Sequence, residues 1–245
     1  GATYVAYLFA GGESNASEAR SVDFDGSGDY LNTTSSSSDF TMGTGDYTIE
    51  CWVKADDVTS QGIFDISTTS GGLATSTANQ LSVWVAANDT IKFSAAGAEQ
   101  TPPIKAQNGV WTHVALARNS GTTSLYVNGT LSKSVADNFN HTGTYIAVGG
   151  YWNTSYLWDG HISNFRVVKG TAVYTSSFRP PTEPLTNISG TVLLCCNNNS
   201  VAGSTVTPVT LNSQGDPTAS TNSPFDDPAA FVFGENEDQG LIKTG

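Results

Sequence analysis

Ser-Val-Asp-Phe-Asp-Gly-Ser-Gly-Asp-Tyr-Leu, residues 21–31, sets the pattern for the rest of this chain. Val22 and Phe24 share one face of an extended strand and Asp23 takes the other, the period-2 alternation of a half-buried β-strand. The Gly-rich acidic turn Asp25-Gly26-Ser27-Gly28-Asp29 ends it. Three more blocks repeat the theme: Tyr-Thr-Ile-Glu-Cys-Trp-Val (47–53), Trp-Thr-His-Val-Ala-Leu…Leu-Tyr-Val-Asn-Gly (111–129) and Trp-Asp-Gly-His-Ile-Ser-Asn-Phe-Arg-Val (158–167).

Between these blocks every apolar segment is short and bounded by turn residues, which predicts an all-β chain with little helix. Further strands are expected at Leu81–Val85, Thr90–Ser94, Val110–Ala117, Ser124–Val127, Tyr145–Val148 and Val192–Cys196, with a weak one at Thr207–Leu211. Asn128-Gly129 between Val127 and Thr130 signals a two-residue hairpin, because both residues tolerate the positive φ of a type I′ turn. Thr101-Pro102-Pro103 marks a loop or edge, since proline has no donor for a central ladder. Ile162, Phe165 and Val167 break strict alternation, which places a β-bulge at Ser163-Asn164. Thr171–Pro184 reads as a proline-stiffened crossing over the surface.

Composition narrows the class of partner. The 245 residues carry a formal charge of −12, and only 13% are charged. Such a chain lacks the positive field that recruits nucleic acid or an anionic membrane, so cations and neutral sugars are the compatible partners. No apolar run reaches the roughly 20 residues of a membrane span, and a soluble chain with no membrane insertion is expected. Three cysteines, two of them adjacent, do not make a disulfide framework. In a Val192–Cys196 strand the Cys195 and Cys196 sulfurs are expected on opposite faces, each acting as a small apolar side chain.

The ends look alike. Ala6-Tyr-Leu-Phe-Ala-Gly-Gly-Glu13 lines up with Ala230-Phe-Val-Phe-Gly-Glu-Asn-Glu237, 224 residues on, and the only methionine is Met42. Residues 1–20 are therefore read as a strand (Tyr4–Phe9) and connector ending a preceding unit, 21–225 as one sandwich domain, and 226–245 as a connector starting a following unit, with Ala230–Phe233 a second terminal strand. Chance similarity of two short strand-plus-turn segments is the plain alternative.

Taken together, the four blocks, in their order and spacing, resemble the laminin G-like jelly roll of the concanavalin A-like lectin/glucanase superfamily across about residues 21–196. The resemblance implies a two-sheet antiparallel sandwich that serves as a recognition platform. The Tyr-Thr-Ser-Ser-Phe-x-Pro-Pro-Thr-Glu-Pro-Leu segment and the Leu-Leu-Cys-Cys strand are similar to modules in tail or surface proteins of marine bacterial viruses. That likeness implies an extracellular or virion-surface setting.

Two candidate sites follow. Tyr151, Trp152, Tyr156 and Trp158 crowd one loop, where ring faces suit the apolar face of a pyranose while Asn153 and Asp159 take its hydroxyls; the alternative is that two or more of these rings, Trp158 before Trp152, bury against the sandwich edge. Asp25 and Asp29 present carboxylates from a flexible turn, a partial shell for calcium, which takes six to eight oxygens in loose geometry. The resemblance carries a calcium to this region, with Asp159 or Asn164 completing it; simple Asx capping of the turn is the alternative. Catalysis is not expected. The Glu-x-Asp-x-x-Glu strand of the superfamily's glycanases is absent, since Trp52 and Ala55 stand two and five residues after Glu50, and His113 reads as structural. The sequence thus points to a lectin-like, non-catalytic module that binds a cell-surface or environmental glycan. The alternative is a structural repeat or decoration unit, of a tail fibre, filament or virion, that pairs with neighbouring copies and has no glycan ligand.

Overall fold

A computed structural model describes residues 20–74, 80–206 and 210–225. They form two antiparallel sheets packed face to face, with one 3-10 turn at Ser38–Phe40. The larger, nine-stranded sheet runs Thr130–Ala136, Thr122–Val127, Thr112–Asn119, Tyr47–Ala55, Asp159–Lys169, Ser21–Asp25 and Thr218–Ser220. Thr191–Cys195 also pairs with Asp159–Lys169, and Ser204–Val206 pairs with Thr191–Cys195. The seven-stranded sheet runs Leu211–Gln214, Tyr30–Thr33, Tyr145–Val148, Gln61–Ser67, Leu81–Val85, Ile91–Ala95 and Ala98–Gln100. Gly150–Tyr151 and Asn153–Leu157 pair as a small two-stranded ribbon hydrogen-bonded to neither sheet ladder.

The core sits between the sheets and follows the alternation of the strands. Val22, Phe24, Ile49, Cys51, Val114 and Leu116 enter it from the larger sheet; Leu31, Phe64, Ile66, Val83 and Phe93 enter from the smaller one. Phe64 and Phe165 meet across the gap edge to face, with centroids 5.6 Å apart, a geometry favoured by the ring quadrupoles. Because alternate residues point outward, Asp65, Ser82 and Trp84 lie on the outer face of the seven-stranded sheet.

Local turn chemistry holds where it was expected. Asn128 (φ 48°) and Gly129 (φ 73°) form the hairpin turn. The bulge falls between Ser163 and Arg166, with Asn164 at φ 51°, so that Ile162, Phe165 and Val167 all reach the core. Residues 171–184 contain no strand and cross the outer face of the larger sheet. Beneath them Glu50 is fully buried and saturated: Arg166 Nη2 and Nε donate to Oε1 at 2.5 and 3.0 Å, Tyr174 Oη donates to Oε2 at 2.7 Å, and His113 Nε2 lies 3.2 Å from Oε2.

Three expectations need correction. The weak late strand starts at Leu211 and runs to Gln214, where the pairing with Tyr30–Thr33 begins; residues 207–209 lie outside the described residues. The adjacent cysteines do not face opposite ways. The strand ends at Cys195, Cys196 turns to φ 58°, and both sulfurs enter the same core, 3.8 Å apart. All three cysteines are free and buried. Asn164, expected near a calcium, is instead buried in the bulge, where its amide donates to Ser163 Oγ and its carbonyl accepts from the Leu185 N–H. The terminal strands Tyr4–Phe9 and Ala230–Phe233 and their connectors, apart from Arg20, lie outside the described residues.

Candidate functional site

The aromatic loop folds back as the small ribbon and packs on the outer face of the seven-stranded sheet. It can approach so closely because Gly62 has no side chain; a Cβ there would overlap the Tyr151 backbone. Tyr151 stacks on Trp84, centroids 4.3 Å apart and planes 4° from parallel. Trp152 and Tyr156 tilt against Tyr151 at 6.1 and 6.2 Å. Tyr156 is 37% exposed, whereas Tyr151 and Trp152 are half-buried. Burial, with the Asp65 charge adding to it, pushes the Tyr151 phenol far above its ordinary range.

Trp158 does not belong to this surface. It is completely buried, packs in the core between the sheets, and donates its backbone N–H to Gly149 O at 2.9 Å. It stands at the break between Asn153–Leu157 and Asp159–Lys169, where the chain leaves the ribbon for the larger sheet, and its burial keeps the ring out of reach of a ligand. Asn153 Oδ1 accepts the Ser155 N–H at 2.7 Å, an Asx turn that shapes the ribbon's tip. Trp84, one strand away and 67 residues earlier, was missed in sequence because nothing local marks its ring as outward.

The loop is tied down by one carboxylate. Asp65, fully buried, accepts from Trp152 N at 3.1 Å, Ala74 N at 2.8 Å and Gln80 Nε2 at 2.9 and 3.0 Å. Trp152 stands at φ 67°, a left-handed conformation that costs a side-chain-bearing residue about 1–2 kcal/mol. Burial pushes the Asp65 carboxyl up to about 7 against the pull of these three donors. In register with it across the sheet lie Ser82, Ser94 and Glu99.

The second cluster is acidic. Asp25, Asp29 and Asp216 bring carboxylate oxygens within 4.8 Å of one another. The turn at 25–29 supplies the first two, with Gly28 at φ 84°. The third arrives on the Gln214-Gly215-Asp216 turn, whose Gly215 is required because a Cβ there would overlap Asp29 Oδ1. Asp29 accepts from Asp216 N at 2.8 Å and Asp25 N at 3.2 Å. Asp25 accepts from Ser27 N at 2.7 Å, the Asx cap of the turn. Burial raises the Asp29 carboxyl, and the charges of Asp25 and Asp216 add to that rise while the two backbone donors oppose it. Among the described residues no lysine, arginine or histidine forms an ion pair with the three. Hard oxygen donors, like-charge crowding and no counter-charge fit a divalent cation of the calcium kind.

Asp159 borders this cluster without joining it. It is paired with Asp25 across the ladder, and burial followed by Asp56, Asp57 and Asp25 raises its carboxyl. Asp216 was not anticipated, although Gly215-Asp216 repeats the Gly28-Asp29 dipeptide. The two clusters are neighbours: Asp159, paired with Asp25, donates its N–H to Gln61 Oε1 at 2.7 Å, next to the Gly62 on which Tyr151 sits.

The two-sheet antiparallel sandwich is a fold of the lectin type. The chain belongs to the concanavalin A-like lectin/glucanases superfamily, whose laminin G-like family matches residues 25–172. Solved structures of similar fold include a putative carbohydrate binding protein from Bacteroides ovatus, 13% identical, covering 85% of this chain and 62% of that one, TM-score 0.62. Another is the native heptameric SAP-like pentraxin from Limulus polyphemus, 13% identical, covering 82% of this chain and 95% of that one, TM-score 0.54. Comparison with curated proteins gives no match. Modules of this type are generally non-catalytic, and Glu50, the one glutamate in a central strand among the described residues, has both oxygens occupied in the buried cluster. Among the described residues no helix is long and apolar enough to cross a membrane.

Proposed function

We propose that this module is a non-catalytic lectin that binds a cell-surface or environmental glycan on the outer face of its seven-stranded sheet, in an extracellular or virion-surface protein. The observation that carries this reading is the aromatic patch Tyr151, Trp152 and Tyr156, supported from beneath by the buried Trp84 on a polar sheet face. A ring packed by stacking is pre-organised, so a sugar docks without ordering it first. Calcium held by Asp25, Asp29 and Asp216 stiffens the adjoining rim.

A glycan array in calcium buffer tests the reading, with Trp152→Ala beside the parent. Loss of one anchoring ring is expected to weaken binding by roughly 1–3 kcal/mol. Absence of any hit, or hits untouched by Trp152→Ala and Tyr156→Ala, would overturn it.

The likeness of Ala6–Glu13 to Ala230–Glu237 favours a second role, in which the 21–225 module is one unit of a repeated fibre or filament and its flanking strands pair with neighbouring copies. Sequence outside this chain decides it: further copies near the 224-residue spacing are expected, and none on either side ends the repeat reading.

A further inference from the structure

The outer face of the larger sheet carries a cleft of its own. Ile49, Cys51 and Val53 of the Tyr47–Ala55 strand enter the core, so Trp52 points outward. It is half-buried, and Phe225 meets its ring edge to face at 6.1 Å. Arg179, Pro180 and Pro181 of the crossing stand on one side and Pro224 and Phe225 on the other, enclosing about 250 Å³ above Trp52.

The walls of the cleft are held in place. Phe178 stacks on Tyr174, centroids 3.5 Å apart, and donates its N–H to Gly129 O at 2.8 Å. Pro180 and Pro181 fix their own φ, so Arg179 is carried between two stiff points. Opposite, the Phe225 N–H donates to Ser223 Oγ at 3.1 Å. The Arg179 side chain is exposed, and among the described residues neither Glu183 nor any other carboxylate forms an ion pair with it. In a chain with a formal charge of −12, this cleft thus presents an unpaired guanidinium, whose planar fork matches a carboxylate.

The walls decide what kind of molecule bears that carboxylate. Flat ring and proline surfaces suit the apolar C–H face of a sugar. An extended acidic peptide would need an unpaired strand edge, yet Tyr47–Ala55 is paired on both sides and residues 171–184 contain no strand. The volume lies below the about 300–1,000 Å³ of sites for drug-sized ligands, which suits a single sugar ring.

We propose that this cleft is a second ligand site, taking a uronic acid residue whose carboxylate pairs with Arg179 while its ring packs against Trp52, Pro181 and Phe225. It goes beyond the glycan reading of the ribbon and does not depend on it, because the two surfaces share no residue and lie on opposite sheets.

Trigalacturonate is the probe and its methyl ester the neutral counterpart, each titrated into the full chain in chelator, so that calcium contributes nothing. Binding is followed by the NMR signals of the Trp52 and Trp152 indole N–H groups and the Arg179 Nε–H. The acid is expected to shift Trp52 and Arg179 and to leave Trp152 in place, and the ester to bind about tenfold more weakly. Arg179→Ala should weaken the acid by a similar factor, and Arg179→Lys, which keeps the charge without the fork, should fall between. The side chain is exposed and unpaired, so both variants are expected to fold, with the Trp152 signal unmoved as the check. No binding, acid and ester bound alike, Arg179→Ala without effect, or shifts confined to Trp152 would each overturn the site. A triglutamate peptide bound as tightly as the sugar overturns the sugar assignment. Asp226 and Asp227 follow Phe225 directly; binding seen only after Asp226→Asn and Asp227→Asn shows the cleft to be taken by the chain's own carboxylates, which also overturns the proposal. Trp152→Ala, which removes an anchor of the ribbon, should leave trigalacturonate affinity unchanged, so the two glycan readings fail separately.

Discussion

Glu50 and Asp65 are both fully buried carboxylates, yet their surroundings push them in opposite directions. Burial raises each, but at Glu50 the His113 hydrogen bond and the Arg166 guanidinium overcome it and hold the carboxyl below its ordinary range. Removing Glu50 leaves Arg166 and His113 buried without their partner. Glu50→Ala is therefore expected to destabilise the module by about 3–5 kcal/mol, read by urea denaturation, while leaving the glycan face in place. Asp65 has donors and no cation, so its folded carboxyl rises from 3.8 to about 7. The folded state then binds the proton more tightly than the unfolded one, and the sign of the linkage follows. Its contribution is complete below about pH 4 and is lost as pH rises toward about 7, at up to about 1.4 kcal/mol per pH unit. The stability of the parent relative to Asp65→Asn should fall across that window and level off above it, as measured by denaturation at each pH. A difference that grows with pH instead would show that the donors outweigh burial.

Among the elements, the hairpin at Asn128-Gly129 shows how a turn is fixed twice over. Its backbone requires positive φ at both residues, and Phe178 of the 171–184 crossing donates its N–H to Gly129 O at 2.8 Å. A Cβ on Gly129 would overlap the Phe178 carbonyl oxygen. Gly129→Ala is expected to cost about 2–3 kcal/mol and to loosen the crossing, so that protease cleaves near Phe178 faster than in the parent; unchanged cleavage would separate hairpin from crossing. Such features were legible in sequence because their causes are local: Asn-Gly for the turn, a broken alternation for the bulge, prolines for the crossing. Asp216 and Trp84 were not, because they acquire their roles from pairings far along the chain. The register Gln214 opposite Tyr30 brings Asp216 to Asp29, and the fold of the ribbon over Gly62 brings Tyr151 onto Trp84. Trp158 shows the reverse: it follows the ribbon directly in sequence, but at the break between the ribbon and Asp159–Lys169 its ring enters the core.

For the molecule as a whole, the acidic triad stands where the chain passes between the two sheets. Ser21–Asp25 belongs to the larger sheet and Tyr30–Thr33 to the smaller, and the turn between them carries Asp25 and Asp29. Leu211–Gln214 and Thr218–Ser220 make the same passage beside it in the opposite order, with Asp216 on their turn. A cation shared by the three carboxylates would pin both crossovers together and offset their mutual repulsion. Ions that bind only the folded state raise its stability by mass action, about 2.7 kcal/mol at a free concentration near 100 times the dissociation constant. For a chain of this size that corresponds to a melting temperature higher by about 5–10 °C. Calorimetry with calcium, with magnesium and with chelator should show the rise for calcium. Asp216→Ala should abolish the increment while leaving the chelated protein's melting temperature nearly unchanged or slightly raised, because it removes one of three repelling charges. Asp159→Ala, outside the triad, should retain most of the calcium increment. A parent that melts at the same temperature in calcium and in chelator would leave Asp29 as a turn-capping carboxylate and assign the crossover's rigidity to Gly28, Gly215 and the backbone donors alone.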